Sequence, residues 1–161
     1  VINLKRQLLT KDLKKNDIYI SFGYRKIISK KILRSAKRPI INLHLSYLPF
    51  NRGAYPNFWS FVDNTQSGVT IHEIDKGIDT GPILYQKKIN FKATKSLTFK
   101  STYKILFKEI ENLFKRNLKK ILNNTYKTKK QGKKYTFHKK SDLPKKFRNW
   151  DKKILSYKKF I

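Results

Sequence analysis

The chain has 161 residues, enough for one domain with one sizeable core, and it holds no cysteine for a disulfide framework or a cysteine-ligated zinc site. With 39% hydrophobic and 14% aromatic residues, it is too apolar for a disordered polycation despite its net charge of +29. Its apolar runs are too short to span a membrane, and its charged N-terminal stretch is unlike a signal peptide, so we expect a cytoplasmic protein.

Apolar periodicity predicts an alternation of strands and helices, which is typical of an α/β fold. The predicted helices are 3–15, 30–35 with Ser29 as N-cap, 57–64, and 99–122. The predicted strands are 18–22, 39–44, 69–74, and 83–91. We therefore expect one domain over 1–122, followed by a basic, aromatic extension over 123–161 that packs on the domain.

The stretch INLHLSYLPFNRG breaks the pattern of an apolar strand. Asn42 and His44 are two residues apart, so on a strand their side chains point to the same face. Asp79, in the glycine-flanked segment GIDTGPIL, would complete an Asn–His–Asp constellation if its loop turned back toward His44. Spacing alone leaves a second interpretation open, in which Asn42 and His44 are hydrogen-bonded polar groups of the core.

The positive charge calls for an anionic partner, or it reflects the compositional drift of an AT-rich genome. Lysine, asparagine and isoleucine are abundant, whereas glycine is scarce. Four of the ten acidic residues cluster in one short stretch, namely Asp63, Glu73, Asp75 and Asp79. This local exception favours drift, although nucleic acid stays open as a partner.

Four segments in fixed order, INLHLSYLP, RG, GVTIHEID and GIDTGPIL, resemble the folate-dependent formyltransferase family. That family includes glycinamide ribonucleotide, methionyl-tRNA and nucleotide-sugar formyltransferases, and the resemblance covers about residues 18–91. It implies a Rossmann-like α/β domain with a mainly parallel sheet. It also implies transfer of a formyl group from 10-formyltetrahydrofolate to a primary amine, without a metal. The catalytic residues that the resemblance implies are Asn42, His44 and Asp79.

The resemblance also implies binding residues on both sides of this triad. Those for folate are Phe22, Gly23, Tyr24, Arg25, Ile27, Ile74, Asp75, Gly77 and Ile78. Those for the amine substrate are His72, Arg52 and Tyr47. The segment RGAYPNFW is most similar to the sugar-modifying branch, so we expect a nucleotide-linked amino sugar as substrate. Methionyl-tRNA and glycinamide ribonucleotide stay open as substrates, as does a basic RNA-binding module on an inactive formyltransferase fold.

The sequence departs from the family at its N-terminal side. Members begin with a β-α-β unit, and no such unit precedes Ile18; moreover, the chain starts at Val1 and contains no methionine. We therefore expect a shortened domain or a segment missing upstream. The absence of that unit would leave 18–22 as an unpaired sheet edge, which favours a homodimer.

Overall fold

A computed structural model of the chain describes residues 6–15, 17–91 and 96–158. Its helices are α1 (Lys30–Ser35), α2 (Pro56–Val62), α3 (Phe99–Leu122) and α4 (Ile154–Lys158). Its strands are β1 (Ile20–Phe22), β2 (Ile41–His44), β3 (Arg52–Gly53), β4 (Gly68–Glu73), β5 (Ile83–Lys88) and β6 (Phe137–His138). No helix in these described ranges is long and apolar enough to cross a membrane.

The main sheet has four strands in the order β1-β2-β4-β5, so β1 is an edge strand among the described residues. Only β1 and β2 run parallel, whereas β2–β4 and β4–β5 are antiparallel pairs. The expectation of a mainly parallel sheet is therefore corrected. One cause is the short connection between β4 and β5, since a parallel pair needs a crossover of about a dozen residues or more.

Most predicted elements lie within a few residues of their expected bounds. Helix α3 spans Phe99–Leu122, as its apolar stripe predicted, and Thr98 caps its N-terminus by accepting a hydrogen bond from the Ser101 amide. Ser29 caps α1 through its hydroxyl oxygen, which accepts from the amide of Ile32. Both caps satisfy backbone donors that a helix cannot satisfy itself.

The predicted helix over 3–15 is wrong within the described residues, and residues 3–5 lie outside them. The segment contains only a single 3₁₀ turn over Thr10–Asp12. Asp12 instead binds Arg6 and accepts a hydrogen bond from the Leu9 amide. Leu8 is buried against a small apolar cluster, which favours an extended chain on the domain surface over a helix.

The principal core lies between one face of the sheet and α3. Its buried members are Ile41, Leu43, Val69, Ile71, Leu84, Leu106, Ile110 and Ile121. These strand residues recur at every second position, which places them on the same face. The opposite face of β2 is therefore free to carry polar side chains.

A second, aromatic core joins α2, the start of α3 and the C-terminal region. Phe58 is fully buried and contacts the rings of Phe99 and Phe147 at centroid distances of 5.1 and 4.8 Å. Ile154 of α4 is buried in the same cluster. In addition, β6 pairs in parallel with β3, which brings the C-terminal region next to the Arg52-Gly53 segment.

Candidate active site

Strands β2 and β4 bring the polar side chains of the candidate site together. Their register pairs Asn42 with His72 and His44 with Thr70. The ladder between β4 and β5 is irregular between Ile71 and His72, and such irregularities often re-aim a side chain beside an active site. As the two-residue spacing predicted, Asn42 and His44 both face the loop that carries Asp79.

The loop between β4 and β5 is shaped by its own hydrogen bonds. The Asp75 carboxylate accepts from the Gly77 amide and the Thr80 hydroxyl, which closes a tight turn. Gly81 packs so closely on the Glu73 carbonyl that a Cβ atom there would collide with it. The turn leaves Asp79 with a φ of 54°, in the left-handed region that costs a non-glycine residue free energy.

Asp79 is the centre of the site. Its Oδ2 accepts a hydrogen bond from the Gly53 amide at 2.8 Å and lies 3.7 Å from His44 Nδ1. Its Oδ1 accepts from Asn42 Nδ2 at 3.2 Å and lies 3.4 Å from His72 Nε2. The Asp79 carboxylate therefore contacts the side-chain amide of Asn42, both histidines and the backbone amide of Gly53 in β3.

The neighbouring carbonyls fix how each imidazole is oriented. His44 Nε2 lies 3.0 Å from the Asn51 carbonyl oxygen, and because a carbonyl only accepts, Nε2 carries hydrogen there. His44 Nδ1 is then the ring nitrogen that faces Asp79. Likewise, His72 Nδ1 donates to the Glu73 carbonyl at 2.7 Å, and its Nε2 lies 3.2 Å from Asn42 Nδ2 and 3.4 Å from Asp79 Oδ1.

The site is largely withdrawn from solvent, and its charges are paired. His44 and His72 are 7% and 1% exposed. Burial by itself would raise the pKa of Asp79, but the charge of His44, the hydrogen bond with His72 and the Gly53 amide together hold that pKa well below its ordinary value. Asp79 is therefore ionised at neutral pH.

The residues predicted to bind folate at the end of β1 and just after it differ in burial and in their contacts. Phe22 packs in the main core with its ring 4.8 Å from that of Phe107. Gly23 has a φ of 65° and no atom within 4 Å of a would-be Cβ, so it borders open space. Tyr24 binds the N-terminal segment through its hydroxyl. Arg25 and Ile27 are exposed.

The residues predicted to bind folate in the Asp79 loop divide into three groups. Ile74 packs in the small apolar cluster that also contains Tyr24, so the structure brings these two together. Asp75 and Gly77 form the turn, as described above. Ile78 is half exposed and lines a cavity of about 270 Å³.

The three residues predicted to bind the amine substrate lie in different places. Arg52 is buried and lines the same cavity as Ile78, and its guanidinium lies 4.6 Å from the centre of the Tyr135 ring. Burial lowers the pKa of Arg52 from its ordinary value. His72 is enclosed by Asn42 and Asp79. The Tyr47 side chain packs against Gly68, and the Lys88 ammonium lies 5.4 Å from the centre of its ring.

Sequence reasoning missed two residues that complete the site. Asn51, fully buried with a φ of 57°, presents its carbonyl to His44 and binds Thr65 and Thr136. Gln131, from the C-terminal region, contacts both Arg52 and the backbone of the Asp79 loop. The sequence carries only a weak signal for Asn51, which directly precedes the Arg-Gly pair, and none for Gln131.

A family profile described as Formyl transferase matches residues 6–116. The chain belongs to the formyl transferase family. This finding confirms the resemblance that the four sequence segments indicated. Within the described residues, no group of three or more histidine, aspartate or glutamate side chains is arranged to hold a metal ion in this formyl transferase.

Two solved structures show what this formyl transferase is similar to. The formyltransferase PseJ from Anoxybacillus kamchatkensis, in complex with UDP-4,6-dideoxy-4-formamido-L-AltNAc and tetrahydrofolate, is 37% identical with a TM-score of 0.84, over 94% of this chain and 82% of that chain. An N-formyltransferase from Helicobacter canadensis, in complex with folinic acid and dTDP-3-aminofucose, is 30% identical with a TM-score of 0.74, over 86% and 51% of the two chains. These similarities confirm the expected α/β formyltransferase fold.

A curated relative is the methionyl-tRNA formyltransferase of Thermodesulfovibrio yellowstonii, which is 49% identical over 72 residues. The matched segment covers 44% of this chain and 23% of that relative. The match therefore spans less than a quarter of that relative's length.

Proposed function

We propose that the protein transfers a formyl group from 10-formyltetrahydrofolate to the primary amine of an amino sugar linked to a nucleotide diphosphate. The observation that carries this proposal is the Asp79 carboxylate, which lies within hydrogen-bond or ion-pair distance of Asn42 and His44 in a chain of this family. The similarity to structures that contain nucleotide-linked sugars and folates supports the choice of substrates.

In the proposed reaction, Asn42 and His44 stabilise the oxyanion. The substrate amine attacks the formyl carbon, a tetrahedral intermediate forms, and its collapse breaks the bond between that carbon and the folate nitrogen. His44 Nδ1, when protonated, donates to the developing oxyanion from its position beside Asp79. Asn42 Nδ2 donates as well, because its amide has two hydrogens and the hydrogen bond to Asp79 Oδ1 uses only one of them.

Asp79 has two roles in this mechanism. Its carboxylate, 3.7 Å from His44 Nδ1, holds the imidazole in the orientation that the reaction needs. It also accepts a hydrogen bond from the attacking amine and helps move the proton that the amine loses, directly or through a water molecule, to the leaving folate nitrogen. The leaving folate nitrogen takes up a proton, so the reaction needs neither a covalent enzyme intermediate nor a redox step.

His72 is better suited to positioning than to contact with the substrate. It is only 1% exposed, and its two ring nitrogens face protein groups. Its Nδ1 is anchored on the Glu73 carbonyl, and its Nε2 holds the Asn42 amide near Asp79. A role for His72 in orienting Asn42 and Asp79 follows from these contacts.

The cavity beside Asp79 gives the amine substrate a place with suitable chemistry. It has a volume of about 270 Å³ and is lined by Arg52, Ile78, Thr80, Tyr135 and Phe137. Ile78 and Thr80 flank Asp79 in the chain, so the cavity adjoins the proposed chemistry. A buried guanidinium suits a diphosphate, and two partly exposed rings suit the planar or apolar parts of a nucleotide-linked sugar.

The experiment is an assay of tetrahydrofolate release from 10-formyltetrahydrofolate. The amines compared are nucleotide-linked 3-amino and 4-amino sugars, glycinamide ribonucleotide and methionyl-tRNA. We expect release only with an amino sugar, and loss of that release in the Asp79→Asn variant. A protein that binds folate but releases no tetrahydrofolate with any of these amines would contradict the proposal.

A further inference from the structure

The side-chain amide of Gln131 joins Arg52 to the backbone of the Asp79 loop. Nε2 donates to the backbone carbonyls of Asp79 and Gly81 at 2.9 and 2.7 Å. Oε1 accepts from Nε and Nη2 of Arg52 at 3.1 and 2.7 Å. A glutamine has two amide hydrogens and two acceptor positions, so these bonds occupy all of them. The reverse amide orientation would place donors against donors, which settles the assignment.

Backbone pairing on both sides brings Gln131 to this place. Before it, Lys129 and Ile83 exchange two backbone hydrogen bonds of 2.8 Å each at the start of β5. After it, β6 pairs with β3, and the Arg52 amide donates to the Thr136 carbonyl at 3.0 Å. The segment is therefore tied to both elements that flank the candidate site.

The Asp79 loop has a physical need for such a contact. Asp79 has a φ of 54°, a conformation that is unfavourable for a residue with a Cβ unless the surroundings hold it there. Its carboxylate is held from one side by Gly53 and Asn42. Its carbonyl is held from the other side by Gln131. Both ends of the residue are thereby fixed.

We propose that Gln131 is a positioning residue, which holds the left-handed backbone of Asp79 so that its carboxylate faces His44 and Asn42. It also orients Arg52 at the wall of the substrate cavity. The catalytic part of this proposal rests on the proposed function, whereas the geometric part does not.

Three variants separate the possible roles of this side chain. Gln131→Ala removes all four hydrogen bonds. Gln131→Glu keeps acceptor oxygens for Arg52 but loses both donors, and a carboxylate oxygen repels the two loop carbonyls. Gln66→Ala is the matched control, because Gln66 is also partly buried and donates to a backbone carbonyl, that of Ser67, in another part of the fold.

The first measurement needs no turnover. In the full chain, the ring ¹⁵N and ¹H NMR signals of His44 report on the distance to Asp79, and Asp79→Asn provides the reference for a lost carboxylate. We expect Gln131→Ala to shift these signals toward the Asp79→Asn values, and Gln66→Ala to leave them as in wild type. A Gln131→Ala variant with wild-type His44 signals would overturn the proposal even if it were less stable.

The second measurement separates kcat from KM in the formyl-transfer assay. Gln131→Glu should lower kcat by about 10-fold to 100-fold with little change in the KM for folate, since small displacements of a catalytic group have effects of that size. Wild-type kcat in Gln131→Glu, confirmed as folded by circular dichroism, would show that only the Arg52 contact matters and would overturn the role toward Asp79. If wild type itself shows no turnover while the His44 signals move as expected, the proposed function fails and the positioning role stands.

Discussion

Strands β2 and β4 carry two surfaces with opposite requirements. On one face, Ile41, Leu43 and Ile71 pack against α3 in the main core. On the other face, Asn42 and His72 surround the Asp79 carboxylate. Both faces are almost equally buried, because Ile71 and His72 are 0% and 1% exposed. The two neighbouring positions therefore differ in what they contact and not in how far they lie from solvent.

The comparison shows how the same backbone serves stability and chemistry. Packing on the apolar face is spread over many weak contacts, so a change of one methylene group has a limited effect. On the polar face each donor has one or two named partners, so the loss of one group leaves another unpaired. Substitutions on the polar face should therefore lower both the rate and the stability, whereas those on the apolar face should lower the stability alone.

The largest expected effect is on turnover from the polar face. Asn42→Ala removes one proposed oxyanion donor, a loss that typically costs about 10²-fold to 10³-fold in kcat. The apparent affinity for folate should change much less, because the contact is made mainly in the transition state. The measurement is steady-state formyl transfer with Asn117→Ala as control, since Asn117 donates to the Leu113 carbonyl within α3, outside the candidate site. An Asn42→Ala variant with wild-type kcat would remove Asn42 from the mechanism.

A smaller effect is expected from the coupling of the two donors. The double variant Asn42→Ala with His44→Ala should lose less activity than the product of the single losses, because both donors serve one oxyanion. The coupling free energy should lie in the range of about 0.5–3 kcal/mol that is usual for groups in contact. A double-mutant cycle on kcat measures it. Strict additivity would mean that the two side chains act on separate events.

The sequence predicted the side chains of this polar face well, but not Gln131, which contacts the Asp79 loop from the C-terminal region. Alternation placed Asn42 and His44 together, and both the glycine-flanked segment and the family resemblance indicated Asp79, which the structure brings to both of them. Gln131 escaped notice because its position depends on pairing with β5 and β3, far away in the sequence. The helix over 3–15 failed for a related reason, since contacts with Tyr24 and the buried position of Leu8 override the local leucine pattern.

The pH dependence of stability should reveal the buried charge at Asp79. Its pKa in the folded chain is held well below the ordinary value of 3.8, so the folded state binds its proton less readily than the unfolded state. The ionised group therefore stabilises the fold fully above about pH 4, and that stability is lost as the pH falls toward the folded pKa, by up to about 1.4 kcal/mol per pH unit.

Chemical unfolding between about pH 5 and 2 tests this expectation, with a flatter acid dependence expected for Asp79→Asn. Asp12 provides a comparison on the surface, because the hydrogen bond from Arg6 lowers its pKa to about 2. Asp12→Asn should likewise make the free energy of unfolding fall less steeply at acid pH, without any effect on turnover. If the free energy of unfolding of Asp79→Asn fell with acid just as in wild type, the contacts of the Asp79 carboxylate would not stabilise its ionised form.

The smallest expected effect is on the apolar face, at Ile71. Ile71→Val removes one methylene group from a fully buried position, which typically lowers the free energy of unfolding by about 0.5–1.5 kcal/mol. Because Ile71 points away from the Asp79 carboxylate and into the α3 core, kcat of the folded enzyme should stay at the wild-type value. Ile20→Val is the matched control, since Ile20 also lies on a strand but is 38% exposed, and the same change there should alter stability much less. Denaturant unfolding and formyl transfer on the same samples give both quantities. A loss of kcat in Ile71→Val beyond its unfolded fraction would mean that the two faces of the strand are mechanically coupled, so that packing against α3 also sets the position of His72.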